Sequence, residues 1–149
     1  MELLKSLQGE IIGIDTSPVI YFIEAGRFSR VVEPVFKLID KGECEGVTST
    51  ITIIEVLVQP YRIAREDLVK KYTEILLNAK NLRVYPVLSD IAIEAAKLRA
   101  KYGIRTPDAI QIATSIYAGA SFFLTNDKRL KKVEEIEIVV LSDLEKNSP

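Results

Sequence analysis

Residues 10–26 read "EIIGIDTSPVIYFIEAG", and this stretch sets the pattern for the rest of the chain. "EIIGID" is a short apolar run of β-formers. It leads straight into a segment where Ser17 can cap a helix and Pro18 can occupy the first turn. This predicts a strand, a tight turn and a helix, with Asp15 at the corner.

The same unit recurs outward along the sequence. "CEGVTS" (44–49), "LRVYPV" (82–87), "SFFLT" (121–125) and "IEIVVL" (136–141) read as four further strands. Between them lie helical stretches. "VVEPVFKLIDKG" (31–42) is a helix if Pro34 falls in its first turn, with Gly42 placed to end it. "TITIIEVLVQP" (50–60) is rich in β-branched residues, but Glu55 within it and Pro60 at its end favour a short helix. In the 66–81 segment Leu68, Tyr72, Ile75 and Leu76 share one face, so an amphipathic helix is expected. Ser89 caps the next helix and Gly103 stops it; Thr106 caps the one after, with Pro107 at its first position and Gly119 at its end. A short helix spans about 126–132, and the tail from about residue 143 is expected to fray. Strands alternating with helices imply a single α/β domain, a three-layer α/β/α sandwich around a five-stranded parallel sheet. Ligands of such sheets gather at the carboxyl ends of the strands, where strand order reverses.

Composition narrows the chemistry. The chain has 149 residues, enough for one self-sufficient core, and its 48% apolar and 28% charged content is that of a globular protein. No run approaches the ~18 apolar residues of a membrane span, and the N-terminus lacks signal-peptide features, so a cytoplasmic protein with no membrane association is expected. A lone Cys44 cannot form an internal disulfide. Histidine is absent, which excludes serine–histidine and cysteine–histidine hydrolases, histidine-based ribonucleases and nearly every zinc site. A net charge of −1 gives no bulk attraction to nucleic acid, so any such binding requires a local basic patch or bound cations.

Four acids can meet at the sheet edge: Asp15, Glu55, Asp108 and Asp127. Each also has a local explanation. Asp15 suits a turn, Asp108 and Asp127 suit helix starts, and Thr52 with Glu55 matches the spacing of a capping box. Together they point further, because clustered carboxylates repel unless they share protons or bind cations. Oxygen-only ligands suit Mg²⁺ or Mn²⁺. Without histidine, water activated by such an ion is the nucleophile this chain can best supply.

"IDTSPVIYFIE", "TSTITIIEVL" and "GIRTPDAIQIATSIYAGASFFLTNDKRL" resemble the motifs of PIN-domain ribonucleases, and "RTPDAIQIA" followed by "LTND" is similar to the VapC-type toxins among them. The resemblance covers essentially the whole chain. It implies a Mg²⁺- or Mn²⁺-dependent endoribonuclease acting on single-stranded RNA, paired with a small antitoxin and commonly a homodimer. It implies that Asp15, Glu55, Asp108 and Asp127 form the acidic metal site, with Glu55 either binding metal or orienting water. Thr16, Thr125 and Asn126 would support those acids, and Arg105, Lys128 and Arg129 would contact phosphate. Gln111 stands where relatives often carry histidine, which puts the local helix surface in question.

Two phosphotransfer alternatives on similar sheets need residues absent here: Asp15 is followed by Thr16 and Ser17 rather than by a second nearby acid. A housekeeping RNA-processing nuclease without an antitoxin, and a non-catalytic partner-binding domain that keeps the fold, remain as alternatives.

Overall fold

The computed structural model describes residues 2–146. Five strands, β1 (Ile11–Ile14), β2 (Glu45–Ser49), β3 (Leu82–Tyr85), β4 (Phe122–Thr125) and β5 (Glu137–Val140), form one sheet in the order β3-β2-β1-β4-β5. Every neighbouring pair is parallel. The chain builds outward from β1 to β2 and β3, then crosses back to add β4 and β5 on the other side. Strand order therefore reverses at β1, and the carboxyl ends of β1 and β4 flank the crevice where such folds bind ligands.

The helices are α1 (Glu2–Leu7), α2 (Thr16–Glu24), α3 (Ser29–Asp40), α4 (Thr50–Arg62), α5 (Glu66–Asn78), α6 (Ser89–Tyr102), α7 (Thr106–Tyr117) and α8 (Leu141–Lys146), with a 3₁₀ turn at Lys128–Lys132. They cover both faces of the sheet, and strand alternation divides the core accordingly. Ile12, Ile14 and Leu124 point to one side and meet Val32, Phe36, Tyr72 and Leu76. Phe123 points to the other and meets Ile91, Leu98, Ile112 and Leu130. At the centre α7 packs unusually close to β1: a Cβ on Gly13 would lie 1.9 Å from Ser115 Oγ. Only glycine permits that approach, which fixes the height of α7 over the sheet.

Several local expectations are corrected. Asp15, not Ser17, caps α2, its carboxylate accepting from the Thr16 amide at 2.8 Å. Ser49 caps α4 by accepting from the Ile51 amide, so the capping box suggested by Thr52 and Glu55 does not form. The α6 and α7 caps fall one residue early, at Leu88 and Arg105. Pro34 lies six residues into α3, and α4 runs through the buried Pro60 to Arg62. In both helices packing of the apolar face outweighs the lost amide donor. Of the tail expected to fray from residue 143, residues 143–146 are part of α8, where Glu145 pairs with Arg27 at 2.8 Å and Asp143 pairs with Lys131. Residues 147–149 of that tail lie outside the described residues.

Candidate active site

The turn after β1 and the turn after β4 are joined by one hydroxyl. Thr125 is fully buried at the end of β4; its Oγ1 donates to Asp15 Oδ2 at 2.7 Å and accepts from the Asp127 amide at 3.1 Å. Asp15 Oδ1 is taken by the Thr16 amide. By surface area Asp15 is only partly covered, yet enough protein surrounds it for burial to dominate its titration. Burial, with smaller contributions from the charges of Asp108 and Glu55, pushes its carboxyl up to about 6 against the hydrogen bonds from Thr125 and Thr16.

The other acids arrive from separate elements. Asp108 sits in the first turn of α7, almost buried, and accepts from Arg105 Nε at 3.2 Å. Asp127 caps the 3₁₀ turn and is gripped by Arg129, whose Nε and Nη2 lie 3.0 and 2.8 Å from its two oxygens. That guanidinium holds the Asp127 carboxyl below the usual carboxylate range. Glu55 projects from the second turn of α4 and accepts from Thr16 Oγ1 at 2.6 Å.

All four acids line one pocket of about 380 Å³, together with Thr16, Arg105, Asn126 and Lys128. Thr125 supports it from beneath. The Asn126 side chain donates to the Tyr21 hydroxyl and accepts from the Ser142 amide, tying β4 to α2 and α8. Arg129 lies outside this pocket, along a smaller recess that also touches Asp108 and Asp127. A larger groove of about 580 Å³, walled by Phe22, Phe36 and Ile75, contains none of the four acids.

Gln111 corrects the expectation of a surface position: it is 1% exposed. Its amide bonds Thr16, Thr48, Thr52 and the Ser49 amide, a network the sequence reading did not find. Helical spacing carried the signal, since residues three apart share a face and Gln111 follows Asp108 by three.

As donors the acids suit a hard divalent cation: all are oxygens opening on one pocket, and the raised Asp15 titration records a charge that a cation would relieve. As positioned they are spread around the pocket wall. Among the described residues no three acidic side chains converge closely enough to share an ion, and Arg105 and Arg129 occupy oxygens of two of them.

Comparison with known proteins bears on this geometry. The profile described as "PIN domain" matches residues 12–136. Among solved structures, VapBC2 from Rickettsia felis bound to a promoter DNA fragment aligns with a TM-score of 0.71 and 16% identity, covering 87% of this chain and 98% of that one. A toxin–antitoxin complex from Klebsiella pneumoniae (TM-score 0.65, 20% identity) and DNA-bound VapBC from Salmonella typhimurium (0.64, 16%) each cover 89% of this chain and 98% of their own. At such identities the likeness is one of fold. Comparison with curated proteins finds no significant match. The profile spans the sheet from β1 to the threshold of β5 and all four acids, and the chain belongs to the PIN-domain family.

Proposed function

We propose that this chain is a Mg²⁺- or Mn²⁺-dependent endoribonuclease that cuts single-stranded RNA, and that it is the toxin of a toxin–antitoxin pair. The observation that carries the reading is the lining of one pocket by Asp15, Glu55, Asp108 and Asp127, drawn from four elements of a PIN-family fold. Structural neighbours solved as toxin–antitoxin complexes support the small protein partner. Among the described residues no helix is long and apolar enough to cross a membrane, in keeping with a cytoplasmic site of action. A homodimer is the expected assembly.

Asp15, Asp108 and Asp127 would hold the divalent ion directly, and Glu55, on the same pocket wall, would help hold it through a water. Once bound, it supplies Lewis acidity, easing attack by water and offsetting negative charge on the phosphoryl oxygens. The chain's own groups do the rest. Glu55, aimed by Thr16, accepts a proton from the attacking water. The water oxygen bonds to phosphorus, the bond to the 3′ oxygen breaks, that oxygen takes a proton from solvent, and a 5′-phosphate and a 3′-hydroxyl result. Thr125 keeps Asp15 in place while its charge develops. Arg105 and Lys128 line the pocket as phosphate contacts; they stand beside four carboxylates, so attraction to RNA would rest on these two side chains together with the bound cation. Arg105 and Arg129 pass from their carboxylates to substrate phosphate as the cation takes the acids, an exchange of one charge partner for another.

The test is cleavage of an end-labelled single-stranded RNA in Mg²⁺, in Mn²⁺ and in EDTA by wild type, Asp15→Asn and Asp108→Asn. Metal-dependent cutting lost in both variants supports the reading. Equal activity in chelator, or in either variant, overturns it. A small gene for a DNA-binding antitoxin is expected immediately upstream, and its absence would favour a housekeeping nuclease.

A further inference from the structure

Beneath the pocket runs a directed chain of hydrogen bonds whose hub is Gln111. Its orientation is fixed from one end. The buried Ser49 amide is a donor and nothing else, so the atom 3.3 Å away must be the Gln111 carbonyl oxygen. The amide nitrogen therefore faces the other way. It donates one hydrogen to Thr52 Oγ1 at 2.6 Å and the second to Thr16 Oγ1 at 3.3 Å.

The hydroxyls then fall into order. Thr48 donates to the Ile14 carbonyl at 2.8 Å, which leaves Thr52 to donate to Thr48 at 2.7 Å. Thr16 receives from Gln111, so its single proton is left for Glu55 Oε1, 2.6 Å away. Thr48 Oγ1 also lies 3.3 Å from the Gln111 oxygen and Thr16 Oγ1 3.4 Å from Thr52 Oγ1, but in each case the shorter contact takes the hydroxyl proton, and the last acceptor is a carboxylate on the pocket wall. The same amide oxygen also accepts from the first residue of the turn that caps α4, the helix bearing Glu55. Gln111 thus acts on Glu55 twice, through the hydroxyl that holds its carboxylate and through the start of its helix.

We propose that Gln111 is a positioning residue for the active site: it orients the Thr16 hydroxyl, and thereby the Glu55 carboxylate, toward the pocket. The part of this inference that concerns metal rests on the functional reading above; the part that concerns the orientation of Glu55 does not. Gln111 is buried and does not itself line the pocket. A residue that merely filled space would be replaceable by an apolar side chain of similar size, because Gln111 is enclosed on all sides.

The experiment uses the full chain as wild type, Gln111→Met, Thr16→Val, the double variant and Thr16→Ser. Mn²⁺ affinity is measured by calorimetry, and metal-free crystal structures report the side chain of Glu55. Groups behind metal ligands typically alter affinity about 10- to 100-fold. Each of the two single losses should weaken Mn²⁺ binding about tenfold, and the double variant should be no weaker than either, because both cut one chain. Thr16→Ser should keep near-wild-type affinity. In metal-free Gln111→Met, Glu55 should have left Thr16. Losses that multiply in the double variant, or a Glu55 still bonded to Thr16 in Gln111→Met, would overturn the proposal. If wild type binds no Mn²⁺, the metal reading fails while the orientation of Glu55 still decides the role of Gln111. If Gln111→Met does not fold, wild-type NMR decides instead: slow-exchanging Gln111 amide protons with a cross-peak to the Thr16 hydroxyl are expected, and fast exchange without that cross-peak would refute the chain.

Discussion

Replacing Asp15 by asparagine should stabilise the protein while abolishing its activity. The carboxyl titrates at about 6 in the fold against 3.8 for an ordinary aspartate, with burial the main cause. At about 1.4 kcal/mol per tenfold, keeping it ionised costs the folded state about 3 kcal/mol. The sign follows from proton binding: between the two titration points the folded protein holds the proton more tightly than the unfolded chain, so stability falls as pH rises through that window. Above it the full cost is present. Asparagine resembles the protonated acid in shape and charge, so it removes the cost while keeping an acceptor for the Thr16 amide. The assay is urea denaturation of metal-free wild type and Asp15→Asn in EDTA, from pH 4 to pH 8. The variant's advantage should widen by about 2.5 kcal/mol across that range, the remainder of the 3 kcal/mol falling below pH 4 where the unfolded acid still titrates. A difference between the two proteins that stays flat with pH would refute the assignment of strain to this carboxylate. Excess Mn²⁺ should then reverse the ranking, because only wild type would gain from the cation.

Gly13→Ala should cost about 1–3 kcal/mol or more in the same assay, since the new Cβ would lie 1.9 Å from Ser115 Oγ and 2.5 Å from Ser115 Cβ. Adding Ser115→Gly should recover most of the loss, and strictly additive losses would contradict the close β1–α7 contact. Arg129→Ala should let the Asp127 carboxyl rise toward its ordinary value, read by carbon-detected NMR titration. That carboxylate contributes stability above its unfolded value that is lost as pH falls, so the variant should give up some of its resistance to acid. The same variant should bind Mn²⁺ more tightly and RNA more weakly, because Arg129 competes with the cation and pairs with phosphate. Parallel changes in the two affinities would contradict the exchange.

The fold was largely legible because the sequence repeats one instruction. Apolar β-runs ending at polar corners, each followed by a helical stretch, leave few arrangements other than a parallel sheet covered on both faces. Details decided by local competition were less legible. Asp15 and Ser17 are both good caps, and only the backbone path shows that Asp15 wins. Pro34 and Pro60 read as helix boundaries, but the apolar faces around them continue and hold the helices together. The short helices α1 and α8 carry too few residues for periodicity to register. For the site, sequence pointed to four acids, and the structure brings them to one pocket. Sequence showed neither their pairing with Arg105 and Arg129, which depends on rotamers around tight turns, nor the burial of Gln111. A polar residue inside a helix looks like surface until its partners on other elements are known. Here those partners are three threonines and a backbone amide from β1, β2 and α4 corners distant in sequence.

The most direct measurement is the anomalous scattering of Mn²⁺ in crystals of the wild-type protein. A peak within the pocket, ligated by Asp15 and by Asp108 or Asp127, with Arg129 withdrawn from Asp127, is the predicted result. No peak there at saturating Mn²⁺, or a peak elsewhere with both arginine pairs intact, would contradict it.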